Sequence, residues 1–492
     1  MSIKISKKDI NKIELNDFDV IIIPCCKKNP FFPTSFNDSK FKINNLKKMI
    51  NNSNFNGEKN EILHVINPNN IGIDKIFVSC GEKINTSSVE KIFTIGVRKA
   101  IKEKYKKILI FSSYQKINIT NYESLIARGS IWGAYKFESF KTNKRQSISL
   151  VFAHEKSTFK KINNGIMQGN IIHRVCNLAN SPANYATPLK IAQYAGQLSK
   201  KGNLKVNVLN KKQLQQKKCE GILSVSNGSI NEPRLIFLEK HGMIKDKPIV
   251  IIGKTVTFDT GGISLKPNNG MAWMRYDKSG GMTVLALMEI LSNLNINRTI
   301  IGILGAAENM PGGNATKPGD IIRSYNGKTI EILNTDAEGR LILADALGMA
   351  VELNPECIID IATLTGAVIT ALGNSAAGIL GNNNKLINSL KRSGNEVGEE
   401  LWELPIYEEY VSDMKSDFAD LSNMSKSGTA GTATAAAFLS NFVNNKVPWA
   451  HIDIAGMAWK TSSDHLQESG ATLFGTRLLL EWLYKNKIIN DF

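Results

Sequence analysis

The segment NTDAEGR, Asn334 to Arg340, sets two carboxylates two residues apart with a guanidinium close behind. In an extended backbone, side chains at i and i+2 point the same way, so Asp336 and Glu338 are expected to converge and form an acidic socket of metal size. A second segment supplies the other half. GKTVTFDTGGISLK contains Lys254, Asp259 and Lys266, and the MRYDKSGG that follows contains Asp277. Four carboxylates balance two divalent cations, and three basic side chains, Lys254, Lys266 and Arg340, stand beside them. Each residue also has an ordinary structural reading. Asp-x-Glu ahead of a helix can serve as its cap and dipole partner. Asp259 could cap the turn into Gly261 and Gly262, and Asp277 the helix after it. Lys254 could be a solvated strand end, Lys266 a surface residue before Pro267, and Arg340 an ion partner of Asp336 and Glu338. Position favours chemistry: the acids fall in or just after strand-like runs, PIVIIG before Lys254 and KTIEIL before Asn334. That is the edge where open α/β sheets place their sites.

GKTVTFDTGGISLKP, AAENMPGGNATKPGD, NTDAEGRLILADAL, ATLTGA and AHIDIAGMAW occur in this order. Together they closely resemble the leucyl aminopeptidase (cytosol aminopeptidase) family of dinuclear metallopeptidases. The likeness runs from about Arg174, in RVCNLANSPANYATP, almost to the C-terminus. RGSIWGAYKFESFK resembles the end of that family's N-terminal domain, and the rest of the first third matches less sharply. The resemblance implies hydrolysis of the first peptide bond, with leucine-type residues preferred, by water activated between two divalent ions per subunit, Mn2+ or Zn2+. Oxygen donors with one nitrogen suit either ion. It implies that Lys254, as a neutral amine, joins Asp259, Asp277 and Glu338 around the tighter ion, while Asp259, Asp336 and Glu338 hold the exchangeable one. The substrate's free amino group would bind a metal, which restricts cutting to N-termini. Lys266 would stabilise the developing gem-diolate, and Arg340 would hold a bicarbonate serving as general base. Met274, Thr363, Leu364, Gly366 and Ala455 would line the side-chain pocket. A homohexamer with the catalytic domains at its centre is also implied.

Other chemistries find less support. The six histidines are scattered without an HExxH pattern, which argues against a histidine-based zinc site and, near these motifs, against a dinuclear phosphoesterase. No serine or cysteine has a convincing base beside it, so a covalent nucleophile is not favoured. His451, in a strand-like run, reads as a hydrogen-bonding core residue, and Asp345, inside an apolar helix, as structural. Gly312, Gly313 and Gly366 read as turn or close-approach glycines of the cleft.

The elements that must carry these residues follow from pattern. At 492 residues the chain is too long for one ordinary core. The runs FDVIIIP, KIFVSC and KILIFSS alternate with the helical SSVEKIFTIGVRKAIKEKY. A Lys- and Asn-rich break around 141–164 then leads to a connecting helix from Ile166 to Leu178. Beyond it PIVIIG, RTIIGILGA, KTIEIL, ECIIDIATL and AHIDIAG read as strands of a sheet buried on both faces. GGMTVLALMEILSNL, GRLILADALGMAVEL and TATAAAFLSNFVNN read as helices between them. The expected fold class is α/β: a smaller N-terminal α/β domain, 1–165, joined by a helix to a larger catalytic domain, 166–492, with a mixed central sheet flanked by helices.

A composition of 42% hydrophobic and 21% charged residues describes a soluble globular protein, and no apolar run approaches the roughly 18 residues of a membrane span. MSIKISKKDINKIEL lacks an apolar signal core, and the six cysteines form no CxxC pair, so the expectation is a cytoplasmic protein with reduced thiols. Residues 1–170 hold 29 Lys+Arg against 14 Asp+Glu, a net +15 of the chain's +17. A nucleic-acid surface could produce this. Because 26 of those 29 are lysine amid abundant Asn and Ile, compositional drift is the favoured explanation.

Overall fold

The computed structural model describes residues 3–33, 43–66, 73–114, 117–143, 147–200 and 203–490. The chain forms two compact units, Met1–Arg174 with Thr461–Ser469, and Val175–Lys460 with Gly470–Asp491. In the first, strands β1 (Ile3–Asp9), β2 (Val20–Cys26), β3 (Ile62–Val65), β4 (Asp74–Ser79), β5 (Lys107–Phe111) and β6 (Ile148–His154) are ordered β1-β6-β5-β2-β4-β3. Of these, only β3 runs antiparallel to its neighbour. Strand β6 lies where the sequence reads as a break. Its Leu150, Phe152 and Ala153 are buried, and that apolar core outweighs the charged flanks. The helices Thr86–Lys102 and Tyr122–Ala134 pack together, joined by the buried pair of Arg128 and Glu90 at 2.6 Å. The same guanidinium donates to Gln168 at 2.9 Å, on the helix Phe159–Asn180. This helix starts earlier than the expected Ile166, and the two units divide within it, after Arg174.

The second unit is built on eight strands: β7 (Lys205–Leu209), β8 (Arg234–Lys240), β9 (Ile244–Asp259), β10 (Arg298–Asn309), β11 (Cys357–Ala362), β12 (Ala377–Gly381), β13 (Leu401–Glu403) and β14 (Trp449–Asp453). Their order is β13-β12-β14-β11-β9-β10-β8-β7. The inner four, β14-β11-β9-β10, run parallel, with β12 and β8 antiparallel at their flanks. Parallel strands covered on both faces read as unbroken apolar runs, as Ile249–Ile252 does. Helices Gly339–Glu352 and Gly431–Ser440 share one core with Val250, Ile252 and Ile358. Helix Ser279–Leu291 packs against β9 where Gly253 meets Gly281; a Cβ on Gly253 would lie 2.5 Å from the Gly281 Cα.

KTIEIL does not join this sheet. Thr329–Glu331 belongs to a separate three-stranded sheet with Ile321–Arg323 and Leu421–Ser422. Only Ile330 of its three residues is buried, the alternation of a strand with one covered face. Among the described residues no helix is long and apolar enough to cross a membrane, and the six cysteines are free.

Candidate active site

The parallel strands deliver their chemistry at their C-terminal ends. β9 carries Lys254 and ends on Asp259, β10 ends on Asn309, β11 runs into Thr363, and β14 ends on Asp453. Register sets Asp259 beside Asn309 and Asp453 beside Ala362.

The residues expected as metal ligands come together. One carboxylate oxygen from each of Asp259, Asp336 and Glu338 lies within 4.8 Å of the others. Lys254 Nζ stands 2.9 Å from Asp277 Oδ1 and 2.7 Å from Glu338 Oε1, and donates to the Thr363 carbonyl at 2.7 Å. Lys266 Nζ stands 2.9 Å from Asp259 Oδ2 and also contacts Asp336 Oδ1. Gly339 makes the Lys254 approach possible, since a Cβ there would meet its Nζ and Cε at 2.6 Å.

Asp336 and Glu338 converge by a different route from the extended one expected. Asp336 lies in a turn, and Glu338 has helical dihedrals, φ −77° and ψ −36°, at the N-cap of Gly339–Glu352. The turn, not strand alternation, brings the pair together. The capping alternatives resolve individually. Glu338 makes no side-chain cap bond, and the helix after Asp277 has Lys278 at its N-cap. Asp259 does close its turn, accepting from Gly261 N at 2.9 Å through Oδ1, which leaves Oδ2 to face Lys266.

The electrostatics are those of anions packed around two ammonium groups. Burial alone would lower Lys254, but Asp277, Glu338 and Asp259 hold it above its ordinary value; Asp259, Glu338 and Asp336 do the same for Lys266. Burial and the Glu338 charge push Asp259 up to about 6 against the pull of both lysines. Burial drives Asp277 well above the carboxylate range, while Lys254 and Lys266 keep Glu338 below its own despite its burial. Asp277 Oδ2 is buried without a hydrogen-bond partner, and Asp336 Oδ1 and Glu338 Oε1 are buried with a lysine ammonium as the contact of each. Buried acceptors are normally satisfied. Hard oxygen atoms left over in a cluster of this size, with one amine among them, fit divalent cations.

Arg340 is buried and donates to the Asn423 carbonyl at 2.6 Å; its Nε has no hydrogen-bond partner. It forms no ion pair with Asp336 or Glu338, so the role of their direct partner does not hold. Burial brings its pKa down to about 10, with Glu338 and Asp453 pulling the other way. Of the pocket residues, Thr363 is fastened to Asp277 by a 2.7 Å bond from its hydroxyl, and Leu364 and Gly366 follow it in the chain. Ala455 lies just beyond β14, and Met274 lies in the short 3-10 helix Met271–Tyr276 that leads into Asp277. Gly312 is a close-approach glycine, its added Cβ 2.7 Å from the Gly228 carbonyl, whereas Gly313 and Gly366 have open space. His451 is fully buried on Asp360 at 2.5 Å, and Asp345 accepts the backbone N–H groups of Ile222 and Tyr325 at 2.9 and 2.7 Å.

Two residues escaped the sequence reading. The Asn309 amide donates to Asp259 Oδ1 at 2.8 Å and to the Thr335 carbonyl at 3.0 Å, tying the two acidic segments together. It lies level with Asp259 only through the register of β9 and β10, so its local sequence does not mark it. Asn423 accepts from Leu333 N at 2.9 Å and donates to the Asn334 carbonyl at 2.6 Å, holding the loop that carries Asp336. Nothing in its local sequence marks it.

The family model described as the cytosol aminopeptidase family, catalytic domain, matches residues 174–480, and that for the family's N-terminal domain matches 22–144. A probable cytosol aminopeptidase of Geobacter sulfurreducens is 44% identical over 369 residues, 73% of this chain and 74% of that protein. One of Rickettsia bellii is 37% identical over 418 residues, 82% and 81% of the two chains. Among solved structures, the bottromycin maturation enzyme BotP in complex with Mn matches with a TM-score of 0.82 at 25% identity, covering 95% of this chain and 99% of that one.

Proposed function

The chain belongs to the cytosol aminopeptidase family and is a metal-dependent aminopeptidase; we propose that it releases leucine-sized N-terminal residues using two divalent cations per subunit, Mn2+ or Zn2+. The observation that supports this most is the meeting of Asp259, Asp336 and Glu338 within 4.8 Å, with Lys254 between Glu338 and Asp277. Lys254, Asp259, Asp277 and Glu338 would hold one ion and Asp259, Asp336 and Glu338 the other, with Asp259 and Glu338 counted in both sets. When bound, such a pair would supply Lewis-acid chemistry, lowering the pKa of a water and polarising the carbonyl of the first peptide bond. Lys254 must give up its proton to become a ligand, and the carboxylates that now favour its ammonium are those a dication would neutralise. Lys266 carries its charge at the edge of the acidic cluster, where it can follow charge onto the developing oxyanion. Arg340 would hold a bicarbonate ion, which supplies a general base. Met274, Thr363, Leu364, Gly366 and Ala455, apolar or small, would receive the substrate side chain. A homohexamer in the cytoplasm is proposed from the family likeness alone, and sedimentation would test the assembly.

The test is a panel of aminoacyl amides offered to metal-stripped protein with Mn2+, Zn2+ or neither. Chelation should abolish hydrolysis and either ion restore it, with leucyl amide among the best substrates. Glu338→Ala should lose activity together with one metal equivalent. Full activity in metal-free protein would sink the reading.

A further inference from the structure

Asp453, the last residue of β14, is fully buried, and among the described residues it forms no ion pair. A buried carboxylate without a cationic partner is costly unless hydrogen bonds satisfy it. Here each oxygen is occupied. Oδ1 accepts the backbone N–H groups of Leu364 at 3.0 Å and Ala455 at 3.2 Å, and Oδ2 accepts the Thr365 hydroxyl at 2.7 Å. The Thr365 oxygen lies 2.9 Å from the Thr432 hydroxyl, on helix Gly431–Ser440. Leu364 and Ala455 lie on loops that leave the neighbouring parallel strands β11 and β14; the last backbone bond between those strand ends runs from Ile454 N to the Ala362 carbonyl at 2.8 Å, and among the described residues no backbone bond joins Leu364 to Ala455 beyond it.

We propose that Asp453 is a positioning residue for substrate specificity, fastening the Leu364 and Ala455 walls of the side-chain pocket to each other and to Thr365. The inference rests on the pocket assignment made above. With both carboxylate oxygens engaged and no exposed surface, Asp453 does not reach the substrate. It sets the separation of the walls, and so how well a branched side chain is held relative to a methyl group. Removing it leaves the buried Ala455 N–H and the half-buried Leu364 N–H without an acceptor and frees the loops to part.

The experiment compares Asp453→Ala, Asp453→Asn and Thr365→Val with wild type in the metal-loaded protein. It measures kcat and KM on leucyl and alanyl amides and the metal bound per subunit. Asp453→Ala should lower the leucyl-to-alanyl ratio of kcat/KM by about tenfold, mainly through a raised KM for the leucyl amide, with metal content unchanged. Asp453→Asn should keep the ratio within about threefold. Its carbonyl can accept both N–H groups, and its amide can donate to Thr365, whose own proton turns to Thr432. If Asp453→Ala does not fold, Thr365→Val removes one fastening and should move the ratio the same way by less. A wild-type ratio in both Asp453→Ala and Thr365→Val, or in Thr365→Val alone if Asp453→Ala does not fold, would overturn the proposal. So would an Asp453→Asn defect as large as that of Asp453→Ala, since charge rather than fastening would then be at work. Wild-type protein that hydrolyses both amides equally well would instead bring down the pocket assignment, and this inference with it.

Discussion

Replacing Asn309 with leucine should weaken metal binding at the proposed exchangeable position by about 10- to 100-fold. Asn309 sends one N–H to Asp259 Oδ1 at 2.8 Å and the other to the Thr335 carbonyl at 3.0 Å, so one amide spans both segments that supply that position. A hydrogen bond to an ionised acceptor is worth about 1.5–3 kcal/mol and a neutral one about 0.5–1.5 kcal/mol. Leucine keeps the number and branching of heavy atoms and is somewhat bulkier, so no cavity is left, and Asp259 Oδ1 retains only the Gly261 N–H at 2.9 Å. The charged bond alone, at about 1.4 kcal/mol per factor of ten, gives the range stated, which is also the usual cost of losing an outer partner of a metal ligand. Asn309→Asp should be worse, because it sets a second acceptor against an Asp259 carboxyl already raised to about 6. Metal-stripped protein would be titrated with Mn2+ against a competing chelator, and thermal unfolding followed separately in excess chelator. An unchanged affinity at both positions, with only a lower Tm, would refute the reasoning and leave Asn309 as a structural brace.

Lys266→Met should raise the barrier to turnover by about 2–4 kcal/mol with metal content intact, because it removes a charge that matters once the oxyanion develops. Arg340→Ala, which loses a donor to Asn423, should cost less; the reverse order in kcat without metal loss would mean the two roles are misassigned. Gly366→Ala should fold normally, since an added Cβ meets no heavy atom within 4 Å, yet it should lower kcat/KM for leucyl amide more than for alanyl amide, by about tenfold if it narrows the pocket; equal losses would place Gly366 outside it. Burial pushes Asp345 up to about 7, against an unfolded value of about 4, so the folded state holds its proton more tightly. Wild-type stability relative to Asp345→Asn should therefore fall as pH rises from about 4 to about 7 and level off above; paired unfolding curves that stay parallel would contradict this.

Metal ligation demands specific atoms in specific company, and few residues can supply them. For that reason Lys254, Asp259, Asp277, Asp336 and Glu338 stood out as candidate ligands before any fold was known, once the resemblance of the motifs that carry them was added to their chemistry. The apolar runs of β9, β10 and β11 and the helix Gly339–Glu352 were legible for a similar reason, since burial on both faces leaves little choice of residue. The sequence also carried the ordered motifs by which the family is known. What it could not carry was adjacency. The stretch ISLVFAH becomes a strand because β1 and β5 pair with it on either side, whatever the charge of its flanks. KTIEIL sits outside the main sheet because only one of its faces is covered. Asp336 and Glu338 meet through a turn, a conformation their spacing alone does not dictate. Asn309, Asn423 and Asp453 act through hydrogen bonds to segments 26 to 90 positions away in the chain, and the neutral or solitary polar residue that makes such a bond has no local signature. Ligand identity is a property of side chains and can be read along the chain, whereas the aim of each ligand depends on which strands lie side by side, and only the tertiary structure decides that.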